Sequence, residues 1–202
     1  MIATIFDYGA GNLHSLAKGL EKAGATVRVT DSAATTIATD VLVLPGVGSF
    51  PYAAARLGGA DGALANAIRA GLPTIGICLG MQLLFERSDE GAGDGLGAIK
   101  GSVTRLATRR VPHIGWNTID DVRDRALADA RLSTAYYANS YACRPVDEDD
   151  VIAWTTHDGD RFPAAIRRGV IYGMQFHPEK SSSAGVAALR EVLREVLSEV
   201  RA

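Results

Sequence analysis

The chain has 202 residues, 47% of them hydrophobic, which is ample for one continuous core, so a single domain over residues 1–202 is expected. A formal net charge of −2, spread over interspersed acids and bases, leaves no nucleic-acid footprint, and no apolar stretch approaches the ~20 residues of a membrane span. The two cysteines, Cys78 and Cys143, exclude a disulfide framework, and neither has a CxxC neighbour that would mark a metal site. A reducing compartment is therefore expected. The opening MIATIFDYGAGN lacks the basic region and apolar run of a signal peptide, so the expected location is cytoplasmic.

In chain order, IATIF (2–6) reads as a strand, NLHSLAKGLEKAG (12–24) as an amphipathic helix ended by glycine, and TVRVT (26–30) as a second strand. VLVLP (41–45) is an uninterrupted apolar run, as expected of a central parallel strand buried on both faces. ADGALANAIRAG (60–71) reads as a helix, PTIGI (73–77) as another buried strand, and LGMQLLFERS (79–88) as a helix that follows at once. Residues 89–101, DEGAGDGLGAIKG, are glycine-rich and read as an irregular loop. Beyond it, AYYANSYACR, DVIAWTTHDG, FPAAIRRG and VIYGMQFHP read as strands joined by short turns, which adds a mixed or antiparallel portion to the sheet. The helix AGVAALREVLREVLSEV (184–200) closes the chain. The expected fold class is α/β, with a mostly parallel sheet covered by helices on both faces.

Gly76-Ile77-Cys78-Leu79-Gly80 places a reactive side chain at an abrupt strand-to-helix junction, the logic of a nucleophile elbow. Glycines two before and two after Cys78 relieve the crowding of a sharp turn. The helix N-terminus at Leu79 would favour thiolate and offer a backbone N–H to a developing oxyanion. The alternative is a small apolar residue ending a buried strand, the commoner fate of a lone cysteine.

A cysteine nucleophile needs a base, and the histidines are His14, His113, His157 and His177. His14 falls in a predicted helix and His157 in a turn, both ordinary surface settings. His113, after Pro112, is possible. His177 is the best candidate, because it ends the strand VIYGMQF and precedes Pro178 and Glu179. If proline holds the segment extended, His177 and Glu179 face the same side and the carboxylate supports the imidazole. A polar turn at a strand end, without chemistry, is the alternative for His-Pro-Glu alone. Pro45-Gly46-Val47-Gly48 lacks the Lys and Ser/Thr of a phosphate loop. It either presents a second oxyanion donor or is a plain βα turn. Cys78, His177 and this turn all fall at predicted carboxyl ends of strands, where parallel-sheet enzymes carry their sites.

With these residues placed, the sequence resembles the class I (triad) glutamine amidotransferases, whose fold is flavodoxin-like. Within that family it is similar to the glutaminase subunits of imidazole glycerol phosphate synthases. The matching segments are FDYGAGNLHS (6–15), LPGVGSF (44–50), GICLGMQLLFERSDEG (76–91), GLGAIKG (95–101), PHIGWN (112–117), YYANSY (136–141) and GMQFHPEKS (173–181). The resemblance implies that Cys78 forms a γ-glutamyl thioester, that His177 protonates departing ammonia and then activates water, and that Glu179 supports His177. It matches Val47 and Leu79 to backbone oxyanion positions. Gly46, Gln82 and Glu90 match residues that hold L-glutamine, with Ser140 and Tyr141 beside them. Asn12, Trp116 and Lys180 match positions facing a partner, a (β/α)8-barrel cyclase subunit forming a heterodimer. That partner would receive ammonia through an internal channel and combine it with a phosphoribulosyl-formimino aminoimidazole carboxamide nucleotide. No metal and no organic cofactor is implied, and neither nucleic acid nor membrane enters the reaction. Asn139 departs from the family, whose members often carry histidine there, and is read as a change in partner signalling or local hydrogen bonding. Cys143 matches no functional position and is read as structural.

Overall fold

The computed structural model describes residues 1–9, 13–46, 48–59 and 61–200. Five segments form the parallel part of a seven-stranded sheet: β1 (Ile2–Phe6), β2 (Thr26–Thr30), β3 (Val41–Leu44), β4 (Thr74–Ile77) and β13 (Ile171–Met174). Their order is β2-β1-β3-β4-β13, and β12 (Asp160–Arg168) and β11 (Val151–His157) extend the β13 edge antiparallel. The 2-1-3-4-5 order of the parallel strands is the flavodoxin-like winding, with its crevice at the carboxyl ends of the central strands. β2 is an edge strand with exposed Arg28 and Val29, whereas β3 and β4 are buried throughout.

Alternation along the strands divides the core into two faces. Ala3, Ile5, Val41, Val43, Ile75 and Ile77 pack with Leu16 and Leu20 of α1 (His14–Ala23) and with Leu189, Val192, Leu193 and Val196 of α7 (Ser182–Val200). Phe6, Leu42 and Leu44 pack on the other face. There they meet Phe50 and Leu57 of α3 (Phe50–Leu57), Leu64 and Ile68 of α4 (Ala63–Arg69), and Met81 and Leu83 of α5 (Leu79–Leu83). α1 ends as expected, on Gly24 with φ 104°, a left-handed conformation suited to glycine. Leu193→Ala empties a fully buried position under the sheet and should cost about 3 kcal/mol, read as a lower urea midpoint with unchanged slope.

The remaining elements are α2 (Ala33–Ile37), β5 (Arg87–Ser88), β6 (Gly91–Asp94), β7 (Gly101–Arg105), β8 (His113–Thr118), α6 (Arg125–Asp129), β9 (Thr134–Asn139) and β10 (Tyr141–Pro145). β10, β7, β5 and β6 form one small sheet, and β8 pairs with β9 in another. No helix among the described residues is long and apolar enough to cross a membrane.

Three sequence expectations need correction. The helix expected over 79–88 stops at Leu83, because loop amides take the carbonyls that a longer helix would use internally. Leu96 N–H bonds Leu83 O at 2.8 Å, Ile99 N–H bonds Leu84 O at 3.0 Å and Gly97 N–H bonds Phe85 O at 3.2 Å. The glycine-rich loop expected over 89–101 instead contains β6, antiparallel to β5, with Gly93 at φ 120°. AYYANSYACR is not one strand: it breaks at Ser140 into β9 and β10, which leave the main sheet for separate ones.

Candidate active site

Three parallel strands deliver the site at their carboxyl ends: β4 into Cys78, β3 into Pro45 and Gly46, and β13 into Gln175 and His177. Cys78 adopts φ 48° and ψ −104°, a conformation that non-glycine residues avoid, with its N–H held by Met174 O at 2.7 Å. Strain of this kind persists only where surrounding packing enforces it. The flanking glycines explain the enforcement. A Cβ at Gly76 would lie 2.6 Å from the carbonyl carbon of Gly80, and one at Gly80 would collide with the backbone of Leu44. The strand and helix therefore approach too closely for any side chain, and the turn between them has no room to relax.

His177 is buried, and its Nδ1 lies 2.9 Å from Glu179 Oε1. The expected extended segment is absent: Pro178–Lys180 is a single 3₁₀ turn entered from His177. The turn still folds the carboxylate back onto the ring. The backbone of His177 is braced by β9 and by Ser181. His177 N–H bonds Tyr136 O at 2.8 Å, Ser181 Oγ donates to His177 O at 2.6 Å, and Tyr136 N–H bonds the same hydroxyl at 2.9 Å. Glu179 is shielded by α1, where a Cβ at Gly19 would come within 3.2 Å of its Cβ. Burial alone would lower the pKa of His177, but hydrogen bonding and charge from Cys78 and Glu179 outweigh it and push it up to about 10.

Gly46 sits between the two chemical groups. A Cβ there would lie 2.9 Å from Cys78 Cβ and 3.0 Å from His177 Cε1. Gly46→Ala must therefore push sulfur and imidazole apart, and should lower kcat for glutamine hydrolysis about a hundredfold while the chain stays folded. Steady-state kinetics with a thermal melt checks both halves.

A cleft of about 200 Å³ opens beside Cys78, lined by Gly46, Leu79, Gln82, Glu90, Ser140 and Tyr141 among others. The structure thus gathers the residues expected to hold substrate. Leu79 opens α5, in the first turn, where amides lack intrahelical acceptors. Glu90 Oε2 accepts from Phe50 N–H at 2.9 Å, which ties the β5–β6 turn to α3. Trp116 is 55% exposed, with its ring edge-on to Tyr136, over which Lys180 Nζ sits at 5.8 Å; these two expected partner positions share one surface. Val47 and Asn12 lie outside the described residues.

The sequence reading missed two buried groups. Tyr8 donates to Pro45 O at 2.7 Å and anchors the turn that carries Gly46. Gln175, fully buried, has its Nε2 3.6 Å from Cys78 Sγ. A polar residue inside the apolar run VIYGMQF was its only signal. His113, left possible as a base, lies instead in a stack with Tyr137 and His157, at centroid distances of 4.8 and 4.0 Å. Burial and the neighbouring His157 lower its pKa to about 4.

The family model for glutamine amidotransferase class-I matches residues 4–195. The chain belongs to the class I glutamine amidotransferases. This amidotransferase is 44% identical over 200 residues to the imidazole glycerol phosphate synthase subunit HisH of Deinococcus radiodurans, covering 95% of this chain and 93% of the relative. It is 41% identical over 203 residues to the protein of the same name from Gloeothece citriformis, covering 96% of each. Its fold matches the structure of PurLQS from Thermotoga maritima with a TM-score of 0.71 at 19% identity, over 98% of both chains. The amidotransferase places Asn139, the departure noted above, at the cleft wall, where its Nδ2 donates to Tyr141 O at 3.0 Å.

Proposed function

We propose that this amidotransferase is the glutaminase subunit of an imidazole glycerol phosphate synthase, acting in histidine biosynthesis as one cytoplasmic domain paired with a (β/α)8 cyclase. The observation that carries the reading is the arrangement of Cys78 and His177 against Gly46, with Glu179 on the imidazole Nδ1, beside a cleft of about 200 Å³. The names of relatives at about 40% identity support the choice of pathway.

Cys78 Sγ attacks the side-chain carbonyl carbon of glutamine, forming a C–S bond while the carbonyl electrons move onto oxygen. The N–H of Leu79, at the start of α5, receives that oxyanion. His177 gives its proton to the amide nitrogen, the C–N bond breaks, and ammonia leaves behind a γ-glutamyl thioester. Water then loses a proton to His177 and attacks the thioester, the C–S bond breaks, and glutamate departs as the sulfur recovers its electron pair. Glu179 holds the imidazole through Nδ1 in both halves. A second cavity of about 280 Å³ shares Gly46 with the cleft, is lined also by His177 and Glu179, and reaches Lys180, a residue assigned to the partner face. The cyclase combines it with its nucleotide substrate, yielding imidazole glycerol phosphate and the aminoimidazole carboxamide ribonucleotide.

Co-expression with a candidate cyclase barrel tests this. Glutamine-dependent formation of imidazole glycerol phosphate is expected. Synthesis supported by free ammonium salts but never by glutamine would contradict it.

A further inference from the structure

We infer that Gln175 is a further catalytic residue of this site, donating a hydrogen bond from its side-chain amide to the sulfur of Cys78. The inference rests on the reading of Cys78 as the nucleophile.

The orientation of the amide follows from a backbone group. Tyr141 O can only accept, so the Gln82 nitrogen that lies 3.0 Å from it must be the amide NH2. The same nitrogen is 3.2 Å from the Gln175 side chain, and as a donor it requires the Gln175 oxygen there. The NH2 of Gln175 is thereby turned to the other side, where Cys78 Sγ lies at 3.6 Å. Flipping Gln175 would set two NH2 groups against each other and an oxygen against the sulfur. Gln82 thus positions Gln175, and Gln175 touches the reacting atom.

His177 also hydrogen-bonds the sulfur, but it gives its proton to the leaving amide nitrogen, so it does not replace a donor that stays in place throughout the reaction. The other neighbours do not either. Ala138 O, 3.9 Å away, accepts from a thiol but repels a thiolate. The N–H of Cys78 is already given to Met174 O. Gln175 is 0% exposed between Met174 and Phe176, where an apolar side chain would pack without any polar group to satisfy. Its backbone N–H bonds Ala164 O at 2.9 Å, so β12 fixes the base of the side chain. A donor held there stabilises the sulfur anion before attack and again when the C–S bond of the thioester breaks.

Gln175→Met keeps the length and removes the donor. In the full chain with its partner, the rate of iodoacetamide alkylation at Cys78 should fall about tenfold near pH 7. For glutamine hydrolysis, kcat should fall about tenfold with KM within about twofold. Gln82→Met should also slow alkylation near pH 7, yet add nothing on top of Gln175→Met, because its effect runs through Gln175. Should Gln175→Met fail to fold, Gln82→Met alone carries the test. Unchanged alkylation near pH 7, or additive effects of the two substitutions, overturns the inference. If alkylating Cys78 in the unmutated chain leaves glutamine hydrolysis intact, the fault lies with the nucleophile assignment instead.

Discussion

Replacing Cys78 with serine lowers glutamine hydrolysis by about four orders of magnitude while shifting stability by no more than about 1 kcal/mol. The side chain changes by one atom, and the backbone at φ 48° stays enforced by the contact of Gly76 with Gly80 and of Gly80 with Leu44. What is lost is a polarisable sulfur nucleophile; a hydroxyl in the same place would need far stronger general-base help. Steady-state ammonia release with the partner present, alongside a urea melt, measures both quantities. A folded variant retaining even a tenth of the activity would remove Cys78 from the chemistry.

Glu179→Gln is the second substitution with a large expected effect, about a thousandfold in kcat, together with a changed pH dependence of stability. The sign follows from His177. Its pKa is pushed up to about 10 when folded, against 6.5 for the free side chain, so the folded protein holds a proton that the unfolded chain releases between those values. The stabilisation is complete below about pH 6.5 and is lost as pH rises through about 10. Glu179 supplies part of the rise, through the 2.9 Å contact to Nδ1 and through its charge. The variant should therefore lose less stability than the unmutated chain between pH 7 and about 10. Thermal midpoints recorded across that range check it, and equal slopes would mean that the carboxylate does not hold the imidazolium.

Much of the parallel sheet was legible because a strand buried on both faces shows as a continuous apolar run, as VLVL and TIGI do. The elbow was legible for a similar reason: Gly76 and Gly80 mark a contact too close for a Cβ, and that requirement is written locally. The region after Leu83 was not. Its conformation depends on Leu96, Gly97 and Ile99 reaching back to the carbonyls of residues 83–85, a tertiary arrangement that overrides the helical pattern of LGMQLLFERS. The pairing of His177 with Glu179 was anticipated on an extended segment and occurs on a 3₁₀ turn, because the braces from Tyr136 and Ser181 set the backbone there. Gln175 was invisible for a further reason. Its proximity to Cys78 exists only because β13 lies beside β4, a pairing between segments almost a hundred residues apart in the chain.

The most direct test of the account is the identity of the covalent intermediate. The chain, saturated with its partner and mixed with glutamine labelled in its carbon skeleton, is quenched in acid during turnover, digested and mapped by mass spectrometry. A γ-glutamyl thioester is expected on the peptide carrying Cys78 and absent from the Cys78→Ser variant. Sustained ammonia release with the label on another residue, or with turnover undiminished in that variant, would contradict it.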